Sequence, residues 1–504
     1  MPSKTIVWLA GAGLLGAAYV AATMVVGGDR RMLLIGKTTD AHHQIETVCE
    51  TCHAAPPFAD AAVARKALNG TCLDCHEAGL KAAGDSHSRK LFRGSRMAVF
   101  RDRLDARLCT NCHAEHRPGI TRAGAVTVAT DFCVACHSEG GQDVRKHRPS
   151  HADLAFDTCA SAGCHNYHDN RALYEDFLVE HAGGAEHAPS PVHGPTVRLR
   201  TRELPPDKSL GRGEAVAPAA ALAVPGVLDD WAGSGHAAAG VNCAACHAAD
   251  ADAMPDGTSV PWIDAPPMEV CGSCHELQTQ SFSGGRHGMR GHPRIARPRA
   301  SGPWLKWVGL ADPVPPEHMT VGEARLPMRP EADPDRILDC GACHRPHDAD
   351  IVRAAVEACA SCHDDPHTRA YFGSPHHRLR QAELAGAAPP GAGVTCATCH
   401  MPGTGRGKAL ATDHNQNDTL RPNGKMIRPV CLDCHGLGFS LDALADAGLI
   451  GRNFNGAPAV HVESIDWAVR RAAGAGRDAG RPLPGNQSRQ SQLPSIESSQ
   501  EEEQ

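Results

Sequence analysis

The sequence predicts a mainly α-helical chain with extensive loops, little or no β-sheet and two lobes. Three observations lead there. Apolar residues recur at helical spacing in NRALYEDFLVEH (170–181) and DADIVRAAVEACASCH (348–363), and no convincing alternating strand run occurs. Gly and Pro are abundant, 51 and 37 of 504 residues, while only 4% are aromatic, so a chain long enough for a large core lacks the side chains that usually fill one. The 22 cysteines fall into eleven short pairs, five between Cys49 and His165 and six between Cys243 and His435.

Those pairs carry the chemistry. In the first half they are Cys49 with Cys52, Cys72 with Cys75, Cys109 with Cys112, Cys133 with Cys136, and Cys159 with Cys164. In the second half they are Cys243 with Cys246, Cys271 with Cys274, Cys340 with Cys343, Cys359 with Cys362, Cys396 with Cys399, and Cys431 with Cys434. Histidine follows every one: His53, His76, His113, His137, His165, His247, His275, His344, His363, His400 and His435. Histidine is only 31 of 504 residues, so this recurrence is not chance. C-x-x-C-H is the signature of c-type haem attachment. Two thiols on a short loop can add across the two porphyrin vinyl groups, and the adjacent imidazole is then held under the ring to bind iron. A zinc site needs four ligands from two such knuckles, and a disulfide imposes no rule on the next residue, so neither accounts for the histidines. The pair formed by Cys159 and Cys164 is two residues longer, with Ala, Ser, Ala and Gly able to bulge clear of the macrocycle. It is expected to be an eleventh site, the alternative being a degenerate motif. About eleven haem c groups would supply the apolar bulk that the composition lacks.

An iron that only carries electrons needs a second axial ligand, and twenty histidines lie outside the motifs. The candidates are His42, His87, His116, His151, His168, His236, His287, His347, His367, His376, His414 and His461. His116, His168 and His347 follow a motif histidine by three residues, and His367 by four. Three residues reach at most roughly 10 Å and the ring blocks the way round, so each is expected to bind a neighbouring iron. Histidine on both faces leaves no coordination position for a substrate.

Residues 1–30 read as an N-terminal membrane anchor or signal peptide, because Ile6 to Gly28 is an uncharged run of 23. An uncleaved anchor is expected, on the periplasmic side of a bacterial inner membrane, where thioether attachment takes place. Residues 40–185 form the expected pentahaem lobe, 186–230 a Pro/Ala/Gly-rich linker, 231–470 a hexahaem lobe and 471–504 a disordered polar tail. Net charge is −7 with no basic block, which speaks against nucleic acid.

These motifs resemble the multihaem cytochromes c over most of residues 42–467. The first half resembles pentahaem and class III-like electron-transfer cytochromes. The second resembles the octahaem hydroxylamine oxidoreductase and pentahaem nitrite reductase superfamily, in GVTCATCHMPG (393–403), DHNQND (413–418), FGSPHH (372–377) and RPVCLDCHG (428–436). The resemblance implies a distal-ligand role for His414. There is no C-x-x-C-K motif, and the last tyrosine, Tyr371, precedes the final haem motif, so a tyrosine cross-link from the C-terminal region is absent. The expected function is electron transfer through mostly bis-histidine haems. The donor would be a membrane quinol dehydrogenase or other redox protein, and the acceptor a downstream redox protein or small molecule. The alternative is a reductase of a small nitrogen or sulfur oxyanion with one open haem in the second half. Arg286, Tyr371 and His377 are its candidate catalytic residues, because Arg, His and Tyr stabilise and protonate a bound oxyanion.

Overall fold

The computed structural model describes residues 8, 11–19, 34–56, 58–83, 87, 90–94, 98–101, 104–122, 126–138, 156, 167–168, 175–200, 206–248, 262–295, 318–348, 350–405, 407–420 and 423–475. Within them the chain is mainly helical, with many short helices joined by loops. The named strands are a two-residue antiparallel pair, β1 (Gly403–Thr404) and β2 (Ala411–Thr412). Cys159, Cys164, His165 and His151 lie outside the described residues.

The longest helix among the described residues, α1 (Ala61–Ala83), starts where Asp60 accepts the Ala62 and Val63 N–H groups, both at 2.9 Å. It carries Cys72, Cys75 and His76 in its middle and binds the motifs on either side in sequence. Thr71 Oγ1 donates to the Cys52 carbonyl at 3.0 Å. Asn69, fully buried, accepts the Cys109 N–H and donates to the Arg65 carbonyl at 2.8 Å.

The apolar core lies in the second half. Met426, Ile427, Val430, Leu437, Leu441 and Leu444 pack with Ile465 and Ala468 of α10 (Ser464–Ala475) and with Leu178 of α2 (Glu175–His181). Helix α2 thus joins this core although it precedes residue 185, and α10 runs past residue 471, into the stretch expected to be disordered. The Pro/Ala/Gly-rich stretch is stitched to the same half. Ala188 N–H donates to Cys434 O at 2.8 Å, His193 N–H to Gly391 O at 2.7 Å, and Arg200, at the end of α3 (Gly194–Arg200), pairs with Glu383. Gly391 has φ +84, and a Cβ there would meet Val197 at 2.4 Å, so only glycine lets α3 approach this closely.

The segment 348–363 is two short helices, Ile351–Ala354 and Glu357–Ala360, rather than one. The Ala355 carbonyl, which a continuous helix would satisfy within itself, instead accepts the Ala397 N–H of the next motif at 3.2 Å. Val356, fully buried, leaves the helical region at φ −140. A tertiary hydrogen bond has displaced a local one.

The two halves meet through arginines. Arg325 pairs with Asp40 and Glu46 at 2.8 and 3.1 Å, and Arg294 with Asp74 at 3.3 Å. Arg290 donates to the Gln44 carbonyl at 3.2 Å while gripping Glu323 at 2.7 Å. Among the described residues no helix is long and apolar enough to cross a membrane. Residues 11–19 are helical, and Leu14 and Leu15 are 73% and 74% exposed.

Replacing Asn69 by Leu should orphan the Cys109 N–H that the buried amide accepts and cost about 1–3 kcal/mol; denaturant unfolding at unchanged haem content measures it. Leu441→Ala, at a side chain 2% exposed in the core, should cost about 2–5 kcal/mol by the same assay.

Candidate haem sites

Most of the described motifs close as a single turn. The motif histidine donates its N–H to the carbonyl of the first cysteine, at 2.8 Å for His53, His113 and His435 and at 2.9 Å for His275, His344 and His363. The second cysteine is drawn into the same turn. The N–H groups of Cys52, Cys136 and Cys362 reach the carbonyls of Cys49, Cys133 and Cys359 at 3.2 Å, and that of Cys274 reaches Cys271 at 3.3 Å. Two thiols and one imidazole are thereby gathered at one place. Serine neighbours brush two of the thiols, Ser273 Oγ lying 3.8 Å from Cys274 Sγ and Ser361 Oγ 3.8 Å from Cys362 Sγ. Cys75 and Cys274 are exposed, whereas the other described cysteines, Cys136, Cys243 and Cys362 among them, are half-buried.

The twenty described cysteines form no disulfide, and no cluster of three or more His, Cys, Asp or Glu suited to a metal occurs among the described residues. Burial pushes the Cys343, Cys399 and Cys431 thiols up to about 12.

Each of the ten described motif histidines is faced by a second histidine. In the first half His53 faces His116 at 6.5 Å between ring centroids, and His76 faces His42 at 6.0 Å. His113 faces His168 at 6.2 Å and His137 faces His87 at 6.1 Å. In the second half the pairs are His247–His347 at 5.9 Å, His275–His236 at 6.2 Å and His344–His414 at 6.1 Å. His363–His287 follows at 6.0 Å, His400–His367 at 6.2 Å and His435–His376 at 6.2 Å. Two imidazoles hydrogen-bonded directly, with about 2.9 Å between nitrogens, would put centroids about 5.2 Å apart. Two metal–nitrogen bonds of about 2.0–2.1 Å, plus the distance from nitrogen to centroid, give about 6.3 Å. The observed spacings fit a metal between the rings. The donor set, two thiols and two opposed imidazoles, is the set that haem c takes.

The facing nitrogen is selected by what holds the other one. His367 Nδ1 lies 2.6 Å from the Ile450 carbonyl while its Nε2 meets the Asn453 amide at 3.1 Å. Nδ1 of His87, His116, His236, His247 and His414 lies 2.7–3.1 Å from the carbonyls of Tyr167, Gly36, Pro346, Ile263 and Thr412. A bond from Nδ1–H to a carbonyl leaves Nε2 as the lone-pair nitrogen, directed at the gap. His42 differs: its Nδ1 meets the Glu115 carboxylate at 2.7 Å. Burial would raise Glu115, but hydrogen bonds from His42 and Thr39 outweigh it and hold the carboxyl at about 2. Burial, with the facing ring second, brings His287 and His376 down to about 4, keeping them in the neutral form that binds iron.

Local sequence aims several of these rings. His367 follows Asp365–Pro366 and opens α5 (Pro366–Tyr371), with the Asp365 carboxylate capping at 3.0 Å. His376 follows Ser374–Pro375 and opens α6 (Pro375–Leu384), and His236 follows Ser234–Gly235, each with a serine cap. A capping residue, then Pro or Gly, then His puts the imidazole on the first turn.

Successive motifs are spatial neighbours. The thiols of Cys72 and Cys109, of Cys271 and Cys340, and of Cys359 and Cys396 are in hydrogen-bond contact. Cys52 is within electrostatic reach of Cys75, Cys246 of Cys271 and Cys274, Cys343 of Cys359 and Cys362, and Cys399 of Cys431. Motifs one to three form one row and motifs six to eleven another.

Residues 41–138 match the family model for cytochrome c3. No curated protein and no solved structure matches the chain. The family match supports a multihaem electron-transfer cytochrome with covalently bound haem c. The matched span ends just past Cys136 and His137 and so takes in the first four motifs.

Other candidates lie elsewhere. Both nitrogens of His461 are taken by carboxylates, Asp442 at 3.0 Å and Asp466 at 3.2 Å, so this ring is not aimed at a motif. The buried Tyr371 donates its hydroxyl to the Val394 carbonyl at 2.8 Å, and His377 Nε2 meets the Gln381 amide at 3.1 Å. Arg286 sits within electrostatic reach of His43 and His287. His43, not among the candidates, has Nδ1 on the Asp40 carbonyl at 3.0 Å and a buried Nε2 without a hydrogen-bond partner. Its adjacency to His42 masked it.

His287→Ala and His376→Ala should each convert one low-spin haem to high spin in the EPR spectrum of the oxidised protein. His377→Ala and His461→Ala should convert none.

Proposed function

We propose that the protein is a periplasmic c-type cytochrome with about eleven haems. It would carry electrons between a membrane quinol-linked donor and a periplasmic or extracellular redox protein or small-molecule acceptor. The observation that carries this reading is the second histidine facing each of the ten described motif histidines. Haem c supplies a one-electron couple at each such site. The motif cysteines would tether it, the motif histidine and the histidine facing it would hold its iron, and the carbonyl-bound Nδ1 groups fix ring orientation. Side chains held this way need little rearrangement when charge changes by one.

Two of the three candidate oxyanion ligands are otherwise engaged in the second half, where Tyr371 and His377 are both hydrogen-bonded within the fold. The loops that hold His287 and the backbone of His363 also carry Arg290 and Arg325, which grip residues 40–46 around His42. In this reading the second site of the first row meets the second row at the ninth motif of the chain, part-way along that row. The exposed apolar helix at 11–19 supports an anchor on the membrane that holds the quinol pool.

EPR of the oxidised protein, with haem counted by mass, tests this. The expected result is eleven haems, all low spin, with no turnover of nitrite, hydroxylamine, sulfite or tetrathionate. One high-spin haem in eleven together with turnover of one of these would replace the carrier by the reductase.

A further inference from the structure

The segment Cys112-His113-Ala114-Glu115-His116 touches three sites. His113 faces His168 at 6.2 Å, in the third. His116 faces His53 at 6.5 Å, in the first. Glu115, between them, reaches Nδ1 of His42 at 2.7 Å, and His42 faces His76 at 6.0 Å, in the second. The backbone is bent to allow this. His116 has φ +60, rare for a non-glycine residue, and is held there by its Nδ1 bond to the Gly36 carbonyl at 2.8 Å. Gly36 has to be small, because a Cβ there would lie 2.9 Å from the His116 carbonyl oxygen.

Glu115 is itself anchored. Its Oε2 accepts the Thr39 N–H at 2.7 Å, and its Oε1 accepts the Thr39 hydroxyl at 3.0 Å beside the His42 contact. Thr39 is buried, and Glu115 and His42 are roughly three-quarters buried, at 28% and 27% exposure. A carboxylate draws the Nδ1 proton further from the ring than a neutral carbonyl does, which makes Nε2 a stronger donor to iron and favours the ferric state.

We infer that Glu115 is a positioning residue that makes the second site the most reducing of the three sites its segment touches. This rests on the reading of His42 and His76 as an axial pair. The site so tuned is the one clamped against the second half by Arg290, Arg294 and Arg325. An electron held there is the one most readily given up at that boundary. Each transfer oxidises one site and reduces its neighbour by one electron, and the Nδ1 proton stays within its hydrogen bond.

The test is a potentiometric titration of the full-length, haem-loaded protein with dithionite and mediators, followed by EPR. Glu115→Gln should keep full haem content and low-spin iron, move one one-electron step to higher potential and shift one low-spin signal. Glu115→Asp should restore both. Thr39→Val removes a competing donor from the carboxylate and should move the same step to lower potential. His42→Ala should create one high-spin haem, which checks the axial pairing separately. A high-spin signal in His42→Ala with the Thr39→Val and Glu115→Gln titrations superimposable on the parent overturns the role of Glu115 and leaves the pairing standing. No high-spin signal in His42→Ala overturns both. If Glu115→Gln loses haem, the Thr39→Val shift decides alone.

Discussion

A C-x-x-C-H turn can supply only one face of the group it tethers. The five residues that carry two thiols and an imidazole are too short to reach round a macrocycle, so the opposite imidazole has to come from elsewhere in the chain. The ten described pairs, each near 6 Å between centroids, meet that demand. Each pair becomes a cross-link. His42 and Glu115 are 73 residues apart in sequence, and His87 and the Tyr167 carbonyl 80. Helices of four to six residues, too short to persist alone, carry residues of such sites.

The tethering also explains the apolar economy of the chain. A cluster of aliphatic side chains around Ile427, Leu437 and Leu441 serves the C-terminal end, and the motif rows elsewhere take the place of a continuous side-chain core. Polar residues do the joining, some buried and some at the surface. Asn69 and Thr71 bind the first three motifs to α1, and Arg290, Arg294 and Arg325 hold the halves together. Such contacts specify position through geometry, since a buried donor without its acceptor is costly.

CHAEH and CHRPH show how one motif serves another. The trailing His116 and His347 do not turn back to their own motif histidines; they face His53 and His247. A motif thus carries the ligand of one site and half of the next, and the rows become continuous where sequence neighbours stack thiol against thiol. Glu115 adds a third connection inside the same pentapeptide.

By itself the sequence determined the mainly helical class, the haem-attachment turns and the histidine supply, because each is local: a thiol pair, an adjacent imidazole, a 3.6-residue period. Even some aim was readable, in the Asp-Pro-His and Ser-Pro-His openings of α5 and α6. Which histidine faces which motif was not readable. His376 and His377 are adjacent and identical, and only the cap at Ser374 and the packing of α6 turn His376 towards His435. His461 looks like any other spare histidine until Asp442 and Asp466 are seen on its two nitrogens. The break at Val356 depends likewise on a carbonyl taken by Ala397, forty residues on. Pairing is a matter of distance between remote segments, and only the tertiary structure decides that.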